Sequence, residues 1–192
     1  MDITEHYQKM DHELERVNVS IEKYGYKIDG KDGIKQKCGL DRLKAADYID
    51  DQTTRIAFVE FSDIARQYHR LLGEVEVINN LSAGHSGKDK RICIDVSKAH
   101  LDKVPAEVMQ KFKDSLQIII EAKSRYKNLP ASFDHKPFAL LVIAPPSDDD
   151  EPYRQDDIYR LLDQLQNRVM MNLPEAIFSG FRLLNIENYA LV

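Results

Sequence analysis

Lys44 to Asp63 reads KAADYIDDQTTRIAFVEFSD, and the fold turns on its second half, Arg55 to Phe61. In an extended strand, Ile56, Phe58 and Glu60 share one face and Ala57, Val59 and Phe61 the other. Both faces are mainly apolar, so this strand is expected at the centre of a sheet covered on both sides. That pattern favours a mixed α/β architecture over a half-exposed meander. Upstream, Ala45 to Asp50 reads as a second strand, and Asp51-Gln52-Thr53-Thr54 as the hairpin turn between them. Glu60 is the anomaly. Burying a lone carboxylate is costly, so it needs a salt-bridge partner, an outlet to solvent at the strand end, or a bound cation.

Ile3, Tyr7, Met10, Leu14, Val17, Ile21 and Tyr24 recur at alternating spacings of four and three, which predicts an amphipathic helix over residues 2–24. Its narrow stripe suits packing on a sheet or a seam in an oligomer. Ile34 to Cys38 is expected as a short strand. Ser62 or Asp63 can cap a helix carrying Ile64, Tyr68, Leu71 and Leu72. Gly84 to Lys90 (GHSGKDK) reads as a loop, and Ile92 to Val96 is ambiguous between strand and connection. Asp102 and Pro105 announce a long helix to about Lys127. Phe138 to Ile143 is a second buried strand, stopped by Pro145-Pro146. A last helix carries Ile158, Leu161, Leu162, Leu165 and Val169, and Phe181 to Val192 reads as closing strand segments. The expected fold is therefore α/β, a short mixed central sheet flanked by helices, in one domain spanning residues 1–192.

Composition bounds the function. The 192 residues are 43% hydrophobic, which excludes a wholly disordered chain, and 31% charged, with 27 Lys+Arg against 32 Asp+Glu and a formal charge of −5. The longest apolar run, Phe138 to Ala144, is too short to cross a bilayer, so no membrane partner is expected. Two cysteines, Cys38 and Cys93, make no disulfide framework or metal knuckle. With no secretion signal at the start, a cytoplasmic location is the expectation.

Asp47 and Glu60 on adjacent strands, with a strand carbonyl between them, form an oxygen set that suits a hard cation such as Mg²⁺. Asp47, a gap of twelve residues, and then Glu60-Phe61-Ser62 resembles the PD-(D/E)XK superfamily of restriction-endonuclease-like proteins. The expected order of helix, three-strand meander, helix and strand over residues 1–145 is similar as well. The resemblance implies a restriction-endonuclease-like core and a divalent-metal-dependent nuclease or nuclease-like nucleic-acid binder. Asp47, Glu60 and the Phe61 carbonyl would be ligands of Mg²⁺ or Mn²⁺, with DNA or RNA as partner. The departure is Ser62, where the family usually has the lysine that positions water and balances phosphate charge. Lys44 is the nearest replacement, although strand alternation puts it opposite Asp47. Lys123 and Arg125 on the long helix are further candidates.

Bland readings of the same residues stand beside this one. Asp47 can be an ordinary hairpin acid, Glu60 a solvent-facing strand end, and Ser62-Asp63 a helix cap. The loss of the lysine, the net acidity and the seam-like first helix favour a catalytically inactive protein-binding module, such as an immunity, anti-defence or regulatory protein, or a homo-oligomer. The six histidines form no ligand set, and His6 and His12 are expected on a polar, solvent-exposed face. The acidic run Asp148 to Glu151 reads as a solvated loop. Residues 27–44 carry six basic and three acidic side chains, and residues 85–127 ten and six, which suits either a mildly basic surface that contacts phosphates or, equally, an ordinary mixed surface.

Overall fold

The strand that begins at Arg55 lies at the centre of the molecule, as its two apolar faces require. The computed structural model describes residues 1–52, 55–146 and 155–191. Its strands are β1 (Tyr7–Lys9), β2 (Tyr24–Lys27), β3 (Tyr48–Gln52), β4 (Arg55–Ser62), β5 (Phe138–Ile143) and β6 (Gly180–Asn185). They lie side by side in chain order. The first four form an antiparallel meander, and β4, β5 and β6 run parallel. The helices are α1 (Ile34–Lys37), α2 (Ile64–Ser82), α3 (Gly87–Leu101), α4 (Lys103–Arg125), α5 (Gln155–Asn172) and α6 (Ile186–Leu191). The protein is thus α/β, with a six-stranded mixed sheet flanked by helices. No helix among the described residues is long and apolar enough to cross a membrane.

The two faces of the sheet are covered differently. Ile49, Ile56, Phe58, Ala139 and Leu141 meet α2, α4 and α5 through residues such as Tyr68, Phe112, Ile119 and Leu162. On the other face Ala57, Val59, Phe61, Leu140 and Val142 are covered by Met10, Leu14 and Ile21 together with Ile186 and Tyr189 of α6. The expected first helix does not form. Residues 3–6 make a single 3-10 turn, β1 follows, and residues 10–23 cross the sheet as an irregular strap. Val17, Val19 and Ile21 alternate with exposed Asn18, Ser20 and Glu22, a period of two that favours extended chain. Tyr7 then stacks on Tyr24 and lies tilted against Tyr26 across β1 and β2. With no helix there, the oligomer seam has no basis, and the leading element of the expected helix, meander, helix and strand order is absent.

Other expectations fare unevenly. Ile34–Lys37 is a helical turn rather than a strand; Gly33 before it lies so close to Ile28 and Asp29 that a Cβ would fall 2.2 Å from the Ile28 carbonyl oxygen. The GHSGKDK loop ends at Ser86, and Ile92 to Val96 is helical within α3. Asp63 caps α2 by accepting from the Arg66 N–H. The tail is one strand followed by α6. Gln52 pairs with Arg55 as the hairpin reading requires, although Thr53 and Thr54 lie outside the described residues, as does the acidic run 148–151. His6 is buried, not exposed. Its Nδ1 donates to the Asp32 carbonyl at 2.8 Å, so its Nε2 accepts from the Tyr126 hydroxyl at 2.8 Å.

Leu14 is 6% exposed within the strap's cluster, so Leu14→Ala is expected to cost about 2–5 kcal/mol. Denaturant unfolding measures this, and an unchanged midpoint would place the strap outside the core.

Candidate functional site

Asp47 sits one residue before β3, held by the ladders on both sides. Its N–H donates to the Val59 carbonyl at 3.0 Å, and its carbonyl accepts from the Ile28 N–H at 2.9 Å. Its side chain reaches the end of β4, where Oδ2 accepts from the Phe61 N–H at 2.8 Å. Glu60 precedes that amide and shares the helix-covered face with Phe58. The hairpin therefore brings both sequence-identified carboxylates together, at the carboxyl end of a parallel strand, where α/β sheets commonly hold ligands.

The cation comes from α4. Lys111 Nζ donates to Glu60 Oε1 at 2.5 Å. Neither Lys44, Lys123 nor Arg125 does this: Lys44 pairs with Glu107, Lys123 with Asp134 and Arg125 with Glu121. Ser62 does not line the cleft either, and its Oγ accepts from Gln67 Nε2 at 3.0 Å. Lys111 is placed by a register lock. Ser115 Oγ donates to the Lys111 carbonyl at 2.7 Å and accepts from the Ala46 N–H at 2.8 Å, one residue from Asp47. A sequence signal exists for it. Val104, Val108, Lys111, Ser115, Ile118 and Ala122 recur at spacings of four and three, and all but Lys111 are buried. A lysine in the apolar stripe of a helix is the anomaly that marks the site, as Glu60 marks it on β4.

The three groups form the floor of a cleft of about 390 Å³. Its lining also includes the strap residues Asp11, His12 and Glu13 and, from β2 and the turn after it, Lys27, Asp29 and Gly30. His12 is the strap's internal tie, its Nε2 donating to the Val19 carbonyl at 2.8 Å while its ring tilts against Phe61. Burial, and then the neighbouring Asp47, push Glu60 up to about 8, against the pull of Lys111. Burial also lifts Asp47 to about 6, although the Phe61 amide and Lys111 favour its charged form. Lys111 is held above its ordinary value because Glu60 and Asp47 outweigh its own desolvation. Two carboxylates and one ammonium thus titrate as a coupled set.

Glu60 Oε2 is buried with no hydrogen-bond partner among the described residues. Such an atom is expensive unless something cationic or protic meets it. Among the described residues no three His, Cys, Asp or Glu side chains are grouped to hold a metal, so an ion here would draw on two carboxylates and backbone oxygen. No family model, curated protein or solved structure matches this chain.

Proposed function

We propose that the protein is a divalent-metal-dependent nuclease built on a restriction-endonuclease-like core, divergent from the PD-(D/E)XK pattern in taking its lysine from a helix. The observation that supports this is the convergence of Asp47, Glu60 and Lys111 on one cleft, with Glu60 Oε2 left unpartnered. The residues fit the ion the resemblance implies. Asp47, Glu60 and the Phe61 carbonyl would hold Mg²⁺ or Mn²⁺, an all-oxygen set preferred by hard cations. Bound there, such an ion lowers the pKa of water and neutralises phosphate charge. The chain's own part is positioning and proton handling. The Phe61 amide orients Asp47, Lys111 supplies the positive charge that Ser62 lacks, and Glu60, which holds a proton at neutral pH in the ion-free cleft, would give it up to a bound cation.

A catalytically inactive protein-binding module on the same fold is the second reading. One observation favours it: Asp11, Glu13 and Asp29 make the mouth of the cleft acidic, which repels phosphates. The net charge of −5 stands beside it, whereas the seam-like first helix does not form and Lys111 supplies a cation where Ser62 does not.

Metal titration separates the readings. A ligand bound by the native state at a hundred times its Kd adds about 2.7 kcal/mol. Millimolar Mn²⁺ or Mg²⁺ is therefore expected to raise the melting temperature of the wild type and to leave Asp47→Asn and Glu60→Gln, both folded, unchanged. A wild-type melting curve indifferent to metal would remove the support for the nuclease reading.

A further inference from the structure

We infer that Lys27 and Gly30 form a lip that receives a phosphate of a polynucleotide beside the Asp47–Glu60–Lys111 floor, an inference that rests on the nuclease reading above. The charges lining the cleft carry the argument. Asp11, Glu13, Asp29, Asp47 and Glu60 stand against Lys27 and Lys111. Lys111 is committed to Glu60. Asp29 is committed to Lys35 at 2.5 Å and accepts from the Gly30 N–H at 2.7 Å. Lys27 alone of the lining cations has no acid partner among the described residues. An anion approaching the floor is repelled by Asp11 and Glu13 and attracted by Lys27.

Local backbone puts the ammonium there. Lys27 pairs with Tyr48, and the next residue, Ile28, donates to the Asp47 carbonyl at 2.9 Å. Lys27 and Asp47 therefore hang from the same β2–β3 ladder. The chain then turns at Gly30, whose φ of +91° suits glycine. A Cβ at that position would lie 3.1 Å from Lys27 Cε and 3.6 Å from its Nζ. The bare glycine is what lets the lysine lie over the turn at the mouth of the cleft. Lysine serves phosphate as a mobile point charge, which suits a lip more than a fixed bidentate clamp.

The test uses a labelled single-stranded DNA 12-mer at low salt, read by fluorescence anisotropy in EDTA and again in Mn²⁺, alongside Mn²⁺-dependent melting. Lys27→Ala is expected to weaken oligonucleotide binding about tenfold and to lower the slope of log affinity against log salt by about 0.7, the loss of one phosphate contact to a single strand. Lys27→Arg should retain binding, and Gly30→Ala should weaken it in the same direction, by displacing the lysine. Mn²⁺ stabilisation should persist in Lys27→Ala, because Lys27 supplies no metal ligand. Oligonucleotide binding that is absent in the wild type, or unchanged in Lys27→Ala with an unchanged salt slope, overturns the lip. Absence of Mn²⁺ stabilisation in the wild type is a different failure, that of the metal reading, and it is seen without reference to Lys27.

Discussion

Replacing Lys111 by alanine is expected to lower Mg²⁺-dependent cleavage of DNA or RNA by about 10²–10⁴-fold, the range in which one positioned proton-handling or charge-stabilising group acts. The cause is local. Lys111 is the cation bound to Glu60, and the resemblance implies a lysine that positions water and balances charge on the phosphate. Lys44→Ala, Lys123→Ala and Arg125→Ala serve as controls and should cleave at wild-type rates, because each of those side chains pairs elsewhere at the surface. Removing one partner of a buried ion pair ordinarily costs about 3–5 kcal/mol. Here burial and Asp47 already keep Glu60 protonated at neutral pH with Lys111 in place, so removing Lys111 strands no carboxylate charge and the variant should fold with a smaller loss. Single-turnover cleavage with each variant measures the effect. Equal rates in Lys111→Ala and wild type would take Lys111 out of the chemistry, and a wild type that cleaves neither DNA nor RNA would leave the protein-binding reading.

Why Glu60 was legible and Lys111 was not comes down to background. An acid in RIAFVEF stands out because every neighbour on its strand face is apolar, and period two makes that face easy to list from sequence. Asp47 followed from the hairpin, since antiparallel pairing fixes which residue lies across from which. Lys111 lies in Gln110-Lys111-Phe112-Lys113, on a helix with several other lysines, and a helix exposes most of its circumference. Its anomaly appears only when the stripe through Val108 and Ser115 is followed across the full length of α4. Even then, the distance to Glu60 depends on the Ser115–Ala46 contact between elements 69 residues apart. The first helix failed for a related reason. A spacing of four and three from Ile3 to Tyr24 fits a helix, yet it shares Val17 and Ile21 with the alternation Val17, Val19, Ile21. Two periods competed over the same residues, and the need to cover the second face of the sheet decided for extended chain. The long helix, β4 and β5 were readable because only one period fitted each.

Stability is expected to fall as the pH rises from about 4.5 to about 8, and the slope should trace to Glu60. In the unfolded chain its carboxyl titrates near its ordinary value of 4.5, whereas burial and Asp47 hold it near 8 in the folded protein. Between those values the native state binds the extra proton, so its advantage is complete below the lower value and lost as pH passes the upper one. One such proton gives a slope approaching about 1.4 kcal/mol per pH unit. Asp47 adds in the same direction over the narrower window from 3.8 to about 6. Asp29, whose pairing with Lys35 and the Gly30 amide holds it below its ordinary value, acts oppositely and only at acid pH. Glu60→Gln should therefore flatten the melting temperature between pH 6 and 8, and Asp47→Asn should flatten it mainly below 6. Mn²⁺ competes with these protons for the same oxygens, so its stabilisation of the wild type should grow across the range in which the apo protein weakens. Melting curves at half-unit pH steps, with and without Mn²⁺, decide it. A Glu60→Gln profile parallel to that of the wild type would mean that Glu60 holds no extra proton. The cleft floor would then be a plain Lys111–Glu60 ion pair, with both charges present throughout that range.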